Sequence, residues 1–459
     1  MRKLLLASVA VLGASMGMAD TAFAQDAVDT TGQSFPTAGT VTVRLNGRFR
    51  FYAGAVDNGA ARQTNFNGVQ NKVSNYGVFD YARLYPGFDG VATNGLKYGS
   101  SLEIRQDNGV GAGGGTLGSI SGRSNTRNAL YFRRLWGYLG TDQFGTIRVG
   151  SSDNPGSLYL TGTFENFNDG GLNGDAPGFL LGNVGVPFPF ASVGNINVTT
   201  KIVYLSPQFA GLDFGLSFEP STANGAGPGG PGVAGATNDF LSSTSTGDYT
   251  RRKNTYEALL RYRGTFGPAG LAATASYTGS GRVLDSGVIN TINPPRTRLE
   301  DLSVADFGVA ATFGGLSFGG NYQFGRYNVP GGGGYGGLIA RGQSNSSAFI
   351  VGASYTIGPV IVGAHVLRSY SQGDQATATN RSIFGAPLAA GGVLGGQRVE
   401  TGVAAGGTYS LAPGVSLFAS YIYAERKQNG YNFITGTSNN GLNNKVNGQV
   451  FAIGTSFAW

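Results

Sequence analysis

The stretch VTVRLNGRFRFYAG, residues 41–54, separates into two faces when every second residue is taken. Val41, Val43, Leu45, Gly47, Phe49, Phe51 and Ala53 lie on one face, and Thr42, Arg44, Asn46, Arg48, Arg50 and Tyr52 on the other. Alternation over this length is the period of an extended strand, not of a helix. It leaves three arginines on one side of an apolar strand, and where they can go decides the fold. An arginine facing lipid at mid-membrane costs about 2–4 kcal/mol, and a dry interior refuses unpaired charges as firmly. A water-filled lumen accepts them. The alternation therefore assigns Arg44, Arg48 and Arg50 to the inside of a wet pore, with Val, Leu and Phe outside against lipid.

The rest of the chain bears on this reading. Met1-Arg2-Lys3, the apolar run Leu4 to Leu12 and the small residues of Ala22-Phe23-Ala24 form a secretory signal pattern over residues 1–24. The apolar run is too short to span a bilayer, which takes about 20 residues. Removing Arg2, Lys3 and Asp20 with that segment leaves 30 basic and 24 acidic residues, a formal charge of +6. The charge is mild and no Lys/Arg tract suggests nucleic acid. The chain has no cysteine, so export brings no disulfide framework. Gly 79 and aromatic 12% are high while charged 12% is low, without a collagen period and with too many aromatics for ordinary disorder. After residue 24 no apolar stretch reaches the length of a membrane helix. A hydropathy scan misses barrel strands, however, because their two faces average out.

Alternating segments recur to the last residue: 41–54, 75–85, 95–107, 127–139, 144–151, 199–206, 211–219, 254–264, 270–279, 302–313, 315–326, 346–357, 359–370, 399–410, 414–427 and 447–459. Their connectors alternate between short and long. The short ones include Gly314, Gly358, Leu411-Ala412-Pro413 and Thr265-Phe266-Gly267-Pro268-Ala269; the long ones are rich in Gly and Asn. The expected fold class is all-β, a transmembrane antiparallel up-and-down barrel of 16 strands with both termini on the short-turn side. Residues 25–459 form one barrel domain, with 25–40 as a lead segment showing no clear element. In the last segment Phe451, Ile453, Thr455, Phe457 and Trp459 share one face, which suits a membrane-interface girdle.

At this point the chain resembles the Gram-negative general diffusion porins over essentially its whole mature length. Asn46-Gly47-Arg48 is similar to the family's first-strand element, and Tyr81-Ala82-Arg83-Leu84 with Gly87-Phe88 to its second-strand signature. Arg134-Leu135-Trp136-Gly137-Tyr138-Leu139-Gly140, followed by Phe144-Gly145-Thr146-Ile147-Arg148-Val149-Gly150, resembles the approach to the third loop. Trp459 stands where the family usually has phenylalanine, and several long connectors exceed the family's length.

The resemblance implies an outer-membrane trimer, assembled in lipid through the barrel-assembly machinery, which reads the C-terminal strand. Small hydrophilic solutes and ions would cross it, and no cofactor is required. It also implies that a third loop, here 152–198, folds inward and sets carboxylates against a basic wall. The matching wall residues are Arg48, Arg83 and Arg134, with Arg148 a weaker match; Arg44, Arg50 and Arg105 rest on alternation alone. The loop carries Asp153, Glu165, Asp169 and Asp175, of which Glu165 and Asp169 best resemble the acidic loop segment. Opposed charges across a narrow aqueous gap order water and dipolar solutes, since screening takes about 8 Å at physiological salt. Small polar solutes then pass more easily than apolar ones.

Other functions compete. A barrel hydrolase needs a base, and the only histidine, His365, lies within the strand VIVGAHVLRSY with no Ser/His/Asp constellation around it. Asn168, Asp169, Asn173 and Asp175 are oxygen ligands suited to calcium, but their spacing is not that of an EF-hand. Gly113 to Gly118 fits G-x-G-x-x-G without the strand-to-helix setting that a nucleotide site requires. The alternative retained is a substrate-specific porin, for anions such as phosphate or for oligosaccharides.

Overall fold

The computed structural model describes residues 36–59, 62–64, 70–72, 74–107, 130–181, 183–190, 199–221, 253–281, 300–329, 338–339, 342–373, 396–434 and 443–459. The signal segment 1–24, the lead segment up to residue 35 and the Gly113–Gly118 match lie outside them.

The alternating segments are strands. The chain enters through β1 (Thr40–Asn58), followed by a small hairpin of β2 (Arg62–Thr64) and β3 (Gln70–Lys72). Next come β4 (Tyr76–Val91), β5 (Lys97–Asp107), β6 (Tyr131–Thr141), β7 (Gly145–Ser152), β8 (Thr199–Leu205) and β9 (Leu212–Ser221). Then follow β10 (Lys253–Phe266), β11 (Ala269–Gly279), β12 (Ser303–Phe313) and β13 (Leu316–Arg326). The last five are β14 (Ser346–Ile357), β15 (Val360–Ser371), β16 (Arg398–Ala412), β17 (Val415–Gln428) and β18 (Lys445–Ala458). Apart from β2 and β3, each strand pairs antiparallel with its neighbours, and β18 closes onto β1 to make a 16-stranded barrel. At the closure Phe49 lies opposite Phe457, and Gly47 and Trp459 exchange both backbone hydrogen bonds at 3.1 Å. A closed ring satisfies its own backbone, which is what hydrocarbon demands.

The outward face is apolar. Val43, Leu45, Phe132, Leu139, Phe307 and Phe451 are each more than half exposed, a density of open hydrophobics that belongs against lipid rather than water. Among the described residues no helix is long and apolar enough to cross a membrane. The strands do the crossing.

Inside, the wall has two characters. From β1 to β7 the inward residues are largely charged or aromatic. On β14–β18 they are largely small or apolar: Ala348, Ile350, Leu367, Ala404, Ile422 and Val450 are all buried. A wet wall would not be built that way. These residues are covered by Leu160, Phe164, Phe167, Leu172, Leu180 and Val184 of the third long connector, residues 153–198. The protein's hydrophobic core is thus inside the barrel, between loop and wall. Burying each large apolar side chain there stabilises the docked loop by about 1.5–3 kcal/mol.

Candidate functional site: an arginine wall and the loop that faces it

Strand register sets Arg48, Arg83 and Arg105 side by side on β1, β4 and β5. Like charges directly across a sheet repel, so other groups must hold the row. The Glu103 carboxylate accepts from Arg105, from Arg133 at 3.1 Å and from Arg134 at 2.7 Å. Arg134 reaches on to Asp153, Nε to Oδ2, at 2.7 Å. Arg83 and Arg48 share the Tyr81 ring, 4.3 and 5.7 Å from its centroid, and Arg148 lies 4.3 Å over Trp136. Arg44 pairs with Asp89, which also accepts from the Tyr138 hydroxyl. Arg48, Arg83 and Arg134 are only 2–3% exposed, so the guanidiniums form a packed surface whose geometry is fixed.

Arg133 is an addition that alternation alone assigns to the lipid side. Glu103 pairs with Arg134 and Ile104 with Phe132, so β6 carries one extra residue at this point. Such a bulge bends the strand and re-aims a side chain, and Arg133 turns in towards Glu103. Further cations lie inside the barrel beyond the anticipated set, among them Arg398 and Arg426 of β16 and β17, the latter paired with Glu400 at 2.8 Å. Arg261 meets Asp213 with two bonds of 2.9 and 2.8 Å and lies 3.5 Å from the Tyr159 ring centroid; Arg263 joins the same carboxylate at 3.0 Å. On β8 the Lys201 ammonium donates to the Ser152 carbonyl at 2.6 Å.

The third long connector enters the lumen and follows the wall. Its first turn, α1 (Pro155–Leu158), is tied to β10 because Glu257 accepts from the Gly156 amide and the Asn154 side chain. Further on, Asn321 of β13 donates to the Thr161 carbonyl at 3.1 Å. Gly162 (φ +84°) then passes so close to Gly320 that a Cβ would stand 2.1 Å from its carbonyl oxygen, and only glycine fits. Asn166 donates to Ser354 of β14 at 2.9 Å. His365 of β15 makes the central tether. Its Nε2 accepts from the Leu172 amide at 3.0 Å, and its Nδ1 faces the Thr163 and Phe164 carbonyls, both at 3.0 Å. A nitrogen that accepts carries no proton and one that faces two carbonyls must carry it, so His365 is the neutral Nδ1–H tautomer. Thr408 and Ser420, on β16 and β17, donate to Asn168 and Asp169 at 3.0 and 3.1 Å.

This path delivers Asp175 to the arginine wall. Its carboxylate lies 3.4 Å from Arg83, 3.7 Å from Arg50 and 3.3 Å from the Tyr52 hydroxyl. Burial works to raise its pKa, but the Arg83 and Arg50 guanidiniums outweigh that and hold it below the usual 3.8. Asp169 shapes the turn beneath it: one carboxylate oxygen accepts the Asp175 and Ala176 amides, both at 2.8 Å, while its own carbonyl accepts from Arg50 at 3.2 Å. Glu165 accepts within the loop from Thr163 at 2.8 Å and from Asn173 at 2.7 Å. Asp153 and Asp175 meet wall arginines with their carboxylates, Asp169 lies within electrostatic reach of Arg50, and Asp169 and Glu165 also brace the loop.

The candidate calcium oxygens are turned to other work. Asn168 Oδ1 accepts the Gly170 and Gly171 amides at 3.0 and 2.8 Å. Among the described residues no group of three or more His, Cys, Asp or Glu is arranged to hold a metal. Among the described residues Tyr52, Tyr81 and Phe418 pack together in a buried cluster beside Phe79 and the loop's Phe179.

A family described as Gram-negative porin matches residues 6–429. Solved structures share the architecture. An anion-selective porin from Comamonas acidovorans aligns at 14% identity over 92% of this chain and 100% of its own, with a TM-score of 0.52. OmpT of Vibrio cholerae, expressed in the outer membrane, aligns at 12% identity over 93% of this chain and 100% of its own, with a TM-score of 0.50. At such identities the likeness is one of fold. No curated protein matches the chain in sequence.

Proposed function

The chain belongs to the Gram-negative porin family, and from that premise we propose that it is an outer-membrane channel for passive diffusion of small hydrophilic solutes and ions, with a weak preference for anions. The observation that carries the proposal is the charged face. Among the described residues the face carries eight arginines, Arg44, Arg48, Arg50, Arg83, Arg105, Arg133, Arg134 and Arg148, with Asp89, Glu103, Asp153, Asp169 and Asp175 set among them. The surplus of positive charge gives an anion a lower barrier than a cation of the same size, and salt screens the difference without abolishing it across so narrow a gap. Crossing needs no covalent chemistry, since the wall charges replace part of a solute's hydration and release it again. Buried lumen aromatics favour general diffusion over an oligosaccharide-specific pathway.

On this reading residues 1–24 are removed on export, the barrel assembles in outer-membrane lipid through its C-terminal strand, and the working unit is a homotrimer. Liposome swelling tests it: vesicles carrying the folded protein should admit small sugars at rates that fall smoothly with size. Saturation of the rate by one solute would replace general diffusion with a specific site, and absence of swelling would remove the channel.

A further inference from the structure

The outward face of the barrel is apolar over most of its height, but on β15–β18 it turns basic at the rim that carries the long connectors. Register aligns Arg368 of β15, Thr401 of β16, Glu425 of β17 and Asn447 of β18 in one row. One step further out, Lys427 of β17 stands directly opposite Lys445 of β18. Alternation puts these side chains outside: Arg368, Lys427 and Lys445 are exposed, while their chain neighbours Leu367, Arg426 and Val446 are buried within the barrel.

The charges of this patch are unbalanced. Glu425 is the carboxylate of the row, and its Oε2 already accepts from Lys445 at 3.0 Å and from the Tyr423 hydroxyl at 2.8 Å. Arg368 lies 5.4 Å over the Tyr370 ring, and among the described residues neither Arg368 nor Lys427 forms an ion pair. Two lysines directly across a strand pair repel each other, and an anion between them would relieve the repulsion. The same rim differs on β13, where Arg326 lies 3.9 Å from Glu300 and 3.5 Å from Asp301, so that acids are in excess. Height on the barrel selects the partner. Tyr421 and Tyr423 come just before the patch on β17, and their hydroxyls donate to Gln449 at 3.1 Å and to Glu425. Tyrosines with an apolar ring and a wet hydroxyl mark the membrane interface. The cations beyond them therefore stand among lipid headgroups, where an outward charge is tolerated and a phosphate can neutralise it.

We propose that this patch docks an outer-leaflet lipid whose headgroup carries phosphate. The phosphate sits between Lys427 and Lys445 with Arg368 beside it, and the acyl chains run down the exposed Val366 and Val351, which lie opposite each other on β15 and β14. Charge complementarity carries the assignment: three exposed cations with one carboxylate among them favour an anion, and their place above the tyrosines makes that anion a headgroup. The inference rests on the proposed outer-membrane setting and not on conduction.

The test is a titration of the folded full-length protein, in non-ionic detergent, with diphosphorylated lipid A and with the same lipid stripped of its phosphates, bound lipid being read by native mass spectrometry. Saturable binding of the phosphorylated form is expected. Arg368→Gln, Lys427→Gln and Lys445→Gln should each weaken it by about fivefold, the effect of one cation near an anionic surface. Arg326→Gln, at the same rim but between its own acids, should leave it unchanged. All four side chains lie outside the barrel, and heat-dependent gel mobility checks that each variant is folded. Equal binding of the two lipid forms, or a loss in Arg326→Gln as large as in the other three, overturns the patch. Full displacement of the lipid by excess inorganic phosphate overturns it as well, since the site would then take the free ion. Selective lipid binding without channel currents would sink the diffusion reading alone, and currents without selective lipid binding would sink the patch alone.

Discussion

Replacing His365 with phenylalanine keeps a ring of similar size in its slot beside Phe167 and Gly171 and removes both nitrogens. The Leu172 amide then loses its acceptor, and the Thr163 and Phe164 carbonyls lose the Nδ1–H donor. One orphaned buried N–H costs about 1–3 kcal/mol and each lost bond about 0.5–1.5 kcal/mol net, which together weaken loop docking by about 2–4 kcal/mol. At the middle of that range the undocked loop becomes roughly a hundredfold more populated, since each 1.4 kcal/mol is tenfold. The barrel itself should survive, because its ladder does not depend on the loop. The assay is single-channel recording combined with hydrogen exchange over residues 163–176, after heat-dependent gel mobility has established a folded barrel. Noisier currents and faster loop exchange are expected. Quiet currents and wild-type protection from a folded His365→Phe protein would refute the tether.

The remaining predictions concern charge. Asp175→Asn removes the loop carboxylate that pairs with Arg83 and Arg50; for an ion passing about 5 Å away that is worth about 0.4 kcal/mol after screening, so chloride should gain over potassium by roughly fourfold. An unchanged reversal potential would mean that ions do not pass near Asp175. Acid should act on the same pair. A depressed carboxylate contributes stability above its unfolded value of 3.8 and loses it as pH falls below that through the folded value. Loop protection in hydrogen exchange should therefore decline only below about pH 4, and the Asp175→Asn variant should lack that decline; a decline centred near neutrality would contradict the assignment. Glu103→Gln leaves Arg105, Arg133 and Arg134 around a neutral group, and breaking a buried pair in this way should cost about 3–5 kcal/mol, read as a lower thermal midpoint of the folded barrel. An unchanged midpoint would mean that Glu103 does not organise the row.

Much of the architecture is legible in the sequence because one rule, alternation, acts at every strand. The opening stretch places Arg44, Arg48 and Arg50 inside and Val43, Leu45 and Phe51 outside, and the structure has them there. The rule fails where backbone geometry breaks the period. Arg133 turns inward through a bulge that a string of letters does not mark. It is silent about His365 for a different reason. The histidine's partners are backbone atoms of a loop some two hundred residues earlier, so no local pattern carries the signal. The apolar inner face of β14–β18 was readable in principle, because AFIVGAS (348–354) and QVFAIG (449–454) are apolar on both faces, as strands buried on both sides are. Among the loop acids, resemblance favoured Glu165 and Asp169 for the charged gap. In the structure Asp153 and Asp175 pair with wall arginines, and the Asp169 carboxylate, within electrostatic reach of Arg50, also accepts the amides of the turn that holds Asp175.

The central claim is an open aqueous path biased by the arginine wall. Planar-bilayer recording of the purified, folded protein across a KCl gradient tests it most directly, because step size reports the path and reversal potential reports the bias. Discrete ohmic steps reversing on the chloride side of zero are the predicted result. A folded barrel that gives no steps, or steps that reverse on the potassium side, would contradict the account.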